Sequence, residues 1–228
     1  MNMRPQRVRR LVVIFVAMLI IIAMVFTNND TWQPAEPTPS TGPTGSALQR
    51  LESIAVKGRA PKTGYERTQF GDGWSMVSGC DTRNIILHRD LTDPVVGDGC
   101  KVLSGTLNDP YTGKMIAFKR GTDSSADVQI DHVVALSNAW QTGAQQLSRE
   151  KRIELANDPL ELLAVDGPAN QQKSDGDAAT WLPSNKAFRC QYVARQIAVK
   201  SKYQLWMTLA ERDAIKAILD RCPGQALP

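Results

Sequence analysis

Between Leu11 and Phe26 the chain carries 16 consecutive apolar residues, preceded by Arg4, Arg7, Arg9 and Arg10 and followed by Asn28, Asn29 and Asp30. No other feature constrains the fold as strongly, because this one decides the compartment in which the rest of the chain must fold. A helix buried in a soluble core keeps one polar face, and this run has none. It lies just below the lower limit of about 17 residues for a membrane span, and Thr27 and snorkelling ends make up the difference. Met24-Val25-Phe26-Thr27-Asn28 lacks the small residues of a cleavage site, which favours an uncleaved signal anchor over a cleaved signal peptide. With the arginines held inside, the remainder faces outward. The expected organisation is a basic cytoplasmic segment at 1–10, a transmembrane anchor at 11–27, a Pro/Thr/Ser-rich tether at 28–46 and a folded domain at 47–228. The corresponding location is the cell membrane, single-pass with the C-terminal domain outside the cytoplasm, or secreted if the signal is cleaved.

Export turns Cys80, Cys100, Cys190 and Cys222 into disulfide candidates rather than metal ligands, and no C-x-x-C is present to support zinc. Three pairings are open. The sequential one, Cys80 with Cys100 and Cys190 with Cys222, is expected because each pair brackets local structure. Beyond the tether, 23 of the 27 basic and 21 of the 23 acidic residues remain, a net of +2, so overall charge does not argue for nucleic-acid binding. The globular composition, 42% hydrophobic and 22% charged, excludes a disordered or polytopic membrane chain.

The hydrophobic pattern alternates short helices and strands. Ser46 caps a short helix through Leu51 and Ile54, and Asp81 or Thr82 caps another through Leu87. Residues 64–73 read as loop, and strands at 100–107 and 114–119 meet at the turn Asp109-Pro110-Tyr111-Thr112-Gly113. Val128 to Val134 is β-like and runs into a helical segment from Leu136. Ser148 caps a helix to Leu155, and Leu160–Val165 is a strand closed by the turn Asp166-Gly167-Pro168 before a helix at Ala169–Lys173. A long helix is expected from Ser184 to Lys202, and Thr208 with Glu211 forms a capping box for the last one.

The chain contains only two histidines. His88 sits at an apparent helix C-terminus, where an imidazole meets the terminal carbonyls. His132 follows Asp131 where a strand ends, and there both side chains can border one cleft. Asp131 is a hard oxygen ligand, and His132 is the residue type suited to take a proton near neutral pH. A structural Asp-His pair at a sheet edge is the competing reading of the dipeptide alone.

The downstream order changes that balance. The strand carrying Gln129-Ile130-Asp131-His132-Val133-Val134, the segment Asn157-Asp158-Pro159-Leu160-Glu161-Leu162-Leu163, and Asp166-Gly167-Pro168-Ala169-Asn170-Gln171-Gln172-Lys173 make a ββα layout. This arrangement, with the tail Trp181-Leu182-Pro183, resembles the HNH (ββα-metal, His-Me finger) nucleases, and within them the exported relatives of the C-terminal domain of GmrSD-type restriction endonucleases. The resemblance covers roughly residues 60–222, with its specific core at 129–190. It implies an α+β fold, a small β-sheet with a ββα-metal core surrounded by helices. It also implies one divalent cation, Mg²⁺ ahead of Mn²⁺, held by Asp131 and Asn170, with His132 as general base and no small-molecule cofactor.

The usual Asn of the middle motif position is Glu161 here, so the role of this residue in orienting the base is an open expectation and Asn157 is a substitute for it. Lys173 is expected either to assist catalysis by reaching phosphate or to be a solvated helix lysine. Asp175 and Asp177 offer a further ligand or a polar loop. From Ser184 to Lys202 there is no acid, while Lys186, Arg189, Arg195, Lys200 and Lys202 form a candidate phosphate-tracking face, with Lys186, Arg189 and Arg195 as nucleic-acid contacts. Trp140, Trp181 and Trp206 are expected in the core. The implied function is metal-dependent hydrolysis of DNA, or RNA, outside the membrane. The alternative is a catalytically inactive, envelope-anchored binding module of the same fold. Oligomeric state is not written in the sequence.

Overall fold

A computed structural model describes residues 46–121 and 125–228. The anchor and tether expected before residue 46 lie outside the described residues. Among those described, no helix is long and apolar enough to cross a membrane. The chain forms an α+β structure: α1 (Ala47–Glu52), β1 (Met76–Val77), β2 (Cys80–Asp81), α2 (Thr82–Asp90), β3 (Leu91–Val96), β4 (Val102–Asn108), β5 (Met115–Lys119), β6 (Val128–His132), α3 (Leu136–Gln141), α4 (Arg149–Ala156), β7 (Leu162–Asp166), α5 (Gly167–Lys173), α6 (Arg189–Lys202) and α7 (Leu209–Leu219). Caps set many of these boundaries. The side chains of Ser46, Asp81, Ser148, Asp166 and Thr208 each accept a hydrogen bond from the backbone N–H three residues on.

Strands β3, β4 and β5 make an antiparallel meander, and β6 and β7 pair as a separate antiparallel ribbon. Strand β3, for which the sequence pattern predicts no element, contains Pro94, which has no backbone N–H to donate. It survives as an edge strand with a register shift at that point. The ribbon divides two hydrophobic cores. Val128 and Ile130 of β6 and Leu162 and Ala164 of β7 join Ile86, Leu87, Val102 and Phe118 under the meander, while Leu163 and Val165 face the helical core of Leu51, Leu155, Tyr192, Ile197 and Ile215. Burial on both faces is why Leu162–Val165 is a continuous apolar run and not an alternating one.

The expected turn at Asp166-Gly167-Pro168 is not a turn. Asp166 is the N-cap of α5, and Gly167 and Pro168 are its first residues. A β-carbon at Gly167 would collide with the Ala126 carbonyl, and the Gly167 N–H donates to Asp127 O at 2.9 Å, so the helix begins directly against the start of β6. The anticipated helix from Ser184 is likewise a 3₁₀ turn at Lys186–Phe188 leading into α6. Disulfides join Cys80 to Cys100, and Cys190 in α6 to Cys222 just after α7.

Candidate active site

Asp131 and His132 are the last two residues of β6, paired with Leu163 and Leu162 of β7. Because β6 ends there, the alternation of a strand no longer separates them, and both line one cleft of about 490 Å³ together with Gln129, Asn170, Ser137, Asp175, Lys62, Arg67, Arg83 and Trp74. A smaller cavity of about 270 Å³ adjoins it, lined by Arg67, Phe70, Gly71, Gly73, Trp74, His132 and Ala156.

His132 is buried, 7% exposed, and fixed from two sides. Its Nε2 lies 3.0 Å from the Ala156 carbonyl oxygen. A carbonyl only accepts, so Nε2 carries the proton and Nδ1 keeps the lone pair. Trp74 lies parallel to the ring, with centroids 5.8 Å apart and an interplanar angle of 6°. Burial, reinforced by the positive charges of Arg67 and Lys173 and opposed by the Ala156 hydrogen bond, lowers the imidazole pKa to about 3. The ring is neutral across the physiological range, the state a general base requires.

Asp131 is 5% exposed and held by two donors. Lys173 Nζ reaches Asp131 Oδ1 at 2.9 Å and the His132 carbonyl at 2.7 Å, and Tyr111 Oη donates to Oδ2. Burial raises the carboxyl pKa overall, and Lys173 and Tyr111 offset only part of that rise. Tyr111 comes from the β4–β5 turn. Buried Asp109 accepts the Asp166 N–H at 2.9 Å and ties that turn to the end of β7. Asn170 and Lys173 stand three residues apart in α5, on the face turned toward β6. The Asn170 amide nitrogen donates to Gln129 Oε1 at 3.0 Å, which leaves its carbonyl oxygen as the end suited to a cation.

The remaining predicted residues fall elsewhere. Lys173 is not a surface phosphate contact: its side chain is wholly buried beneath Asp131. Glu161 does not line the cleft. It is fully buried, its backbone oxygen accepting from Val133 N and its Oε2 from Val134 N at 3.2 Å, while Oε1 has no partner among the described residues. Burial raises its pKa well above the ordinary range. The carbonyl that meets the His132 ring belongs to Ala156, not to residue 161. Asn157 accepts from Ser75 N at 2.8 Å and so fixes the segment that carries Trp74.

The basic face expected on 184–202 is dispersed. Lys200 is fully buried against Glu211, Lys202 pairs with Asp158 at 2.6 Å, Arg195 donates to the Leu160 carbonyl and Arg189 to the Pro183 carbonyl. Lys186 is exposed, but neither it nor Arg189 nor Arg195 lines the cleft. Asp175 borders the cleft and pairs with Lys62, and Asp177 is buried against Arg59. Trp140 and Trp206 are buried, and Trp181 is half-buried against the helical core. Arg67 lies within the aromatic, glycine-rich loop at 64–73 and Trp74 directly follows it, and no motif there marks either as part of a site.

Among the described residues, no group of three or more His, Cys, Asp or Glu could hold a metal ion. A small hard cation takes oxygen donors of the kinds that Asp131 and Asn170 carry, although Lys173 and Tyr111 already engage both Asp131 oxygens. The Asp131 carboxylate and the Asn170 amide oxygen border the same cleft, and such a cation keeps most of its waters and takes few protein oxygens.

Residues 82–218 match the family described as GmrSD restriction endonucleases, C-terminal domain. An uncharacterized secreted protein of Arthroderma benhamiae is 38% identical over 190 residues, covering 82% of this chain and 90% of that protein. No solved structure matches.

Proposed function

This chain belongs to the family of the GmrSD restriction endonuclease C-terminal domain, and on that premise we propose that it is an exported, metal-dependent HNH-type endonuclease whose catalytic domain spans residues 47–228. Family membership points to a nuclease-related function. The observation that carries the finer reading is the meeting of Asp131, His132 and Asn170 in one cleft, although Asn170 lies on a different element.

In this reading His132 Nδ1 takes a proton from water. Nε2 stays on the Ala156 carbonyl, and Trp74 prevents the ring from rotating. The water oxygen adds to phosphorus opposite the leaving 3′ oxygen, whose departure leaves a 5′ phosphate. Asp131 and Asn170 would hold one divalent cation, Mg²⁺ or Mn²⁺, which supplies charge relief on the phosphate and leaving oxygens. Lys173 and Tyr111 aim Asp131 and oppose the rise that burial imposes on its pKa. Export is supported by the secreted relative, by the apolar run after the arginines and by the two disulfides. Anchoring through residues 11–27 belongs to the same proposal.

The test is degradation of plasmid DNA and of RNA with Mg²⁺ or Mn²⁺. Cleavage should vanish with EDTA and with His132→Ala while the circular dichroism spectrum is unchanged. Asp131→Asn and Asn170→Ala should lose activity and shift the Mg²⁺ dependence. Cleavage that persists through both chelation and loss of His132 sinks the nuclease reading. Salt-sensitive DNA binding without cleavage would instead establish a non-catalytic module, a reading favoured by the Lys173 ammonium, which already neutralises Asp131.

A further inference from the structure

Three cationic side chains, Lys62, Arg67 and Arg83, line the cleft that holds Asp131 and His132. Two of them are engaged. Lys62 pairs with Asp175 at 3.2 Å, and the Arg83 guanidinium donates to the Val128 carbonyl at 3.2 Å. The Arg67 side chain is exposed and makes no hydrogen bond or ion pair among the described residues. It also lines the adjoining cavity, so it stands where the two spaces meet beside His132.

Its position is set in advance. Arg67 opens the 3₁₀ turn Arg67–Phe70, and buried Arg152 of α4 clamps that turn by donating to both the Gln69 backbone and side-chain oxygens at 3.0 Å. The other end of the segment is held by Asn157, which accepts from Ser75 N. An unpaired guanidinium on a fixed wall beside a base is arranged for an incoming anion, and its planar fork suits two phosphate oxygens.

We propose that Arg67 is the substrate-phosphate clamp of this site: it binds the non-bridging oxygens of the phosphodiester next to His132 and draws the strand across the line between the two cavities. The inference rests on the nuclease reading for its reaction but not for its binding measurement.

The experiment uses the full-length protein carrying His132→Ala, with and without Arg67→Ala, and a short fluorescent single-stranded oligonucleotide titrated over a salt series. Loss of one phosphate contact should reduce the slope of log affinity against log salt by about 0.7, and Arg67→Lys should restore most of it. In the background with His132 intact, Arg67→Ala should lower kcat/KM by about ten- to a hundredfold with an unchanged melting temperature. Identical salt slopes with and without Arg67 overturn the proposal. If the slope falls as expected but the wild type cleaves nothing, the clamp stands and the nuclease reading is what fails.

Discussion

At the scale of the single residue, the site is a set of buried groups whose charge states are set by their surroundings. His132, with its pKa lowered to about 3, stays neutral where an exposed imidazole would titrate near 6.5. The acidic limb of kcat/KM should therefore lie well below pH 6. A break near 6.5 in the pH–rate profile would contradict the burial of the ring. Glu161 offers the opposite case. Its folded pKa is raised above the unfolded value of 4.5, so the native state keeps a proton that the unfolded chain releases. The stability it contributes is complete below 4.5 and is lost as pH rises toward the folded pKa, with a slope of at most about 1.4 kcal/mol per pH unit. Glu161→Gln should flatten that part of the profile and raise stability near neutrality, as measured by urea midpoints over a pH series. Asp131 and His132 were legible as adjacent functional types. Their burial was not, since it depends on Tyr111, Trp74 and Lys173 arriving from other segments.

At the scale of the element, α5 does the most with the fewest residues. Over Gly167–Lys173 it presents Asn170 to the cleft and Lys173 to the underside of Asp131. Replacing Lys173 by Met leaves a buried carboxylate without its cation, and stability should fall by about 3–5 kcal/mol, read from denaturant unfolding at neutral pH. A small effect, under about 1 kcal/mol, would mean that Tyr111 alone suffices for Asp131. The sequence pattern predicts this helix only from Ala169, because Asp166-Gly167-Pro168 reads equally as a turn or as a cap with the first helical residues. What decides between them is the contact of Gly167 with Ala126, forty-one residues earlier in the chain. The acid-free stretch at 184–202 fails as a phosphate track for a related reason. A linear count of charge takes no account of which side chains the helix turns inward, and Lys200 is turned onto Glu211.

At the scale of the whole molecule, the two cores on either side of the β6–β7 ribbon hold the cleft between the meander side and the helical side. The Cys190–Cys222 bond joins α6 to the end of α7 across a sequence separation of 32 residues. Removing it by Cys190→Ser with Cys222→Ser should cost about 2–4 kcal/mol while leaving the site chemistry intact, measured as a drop in melting temperature with kcat preserved in the cold. Loss of kcat at low temperature would show that the helical core positions the cleft directly. The sequence by itself determined the apolar segment that implies export, the sequential cysteine spacing, the caps and turns, and the order of motifs from Asp131-His132 to Asn170. All of these rest on local chemistry or on short-range periodicity. Only the tertiary structure decided which carbonyl meets the His132 ring, which cation sits under Asp131, and which arginine is left unpaired at the mouth of the cleft. Each of those depends on a contact between segments distant in the chain, and only packing brings such segments together.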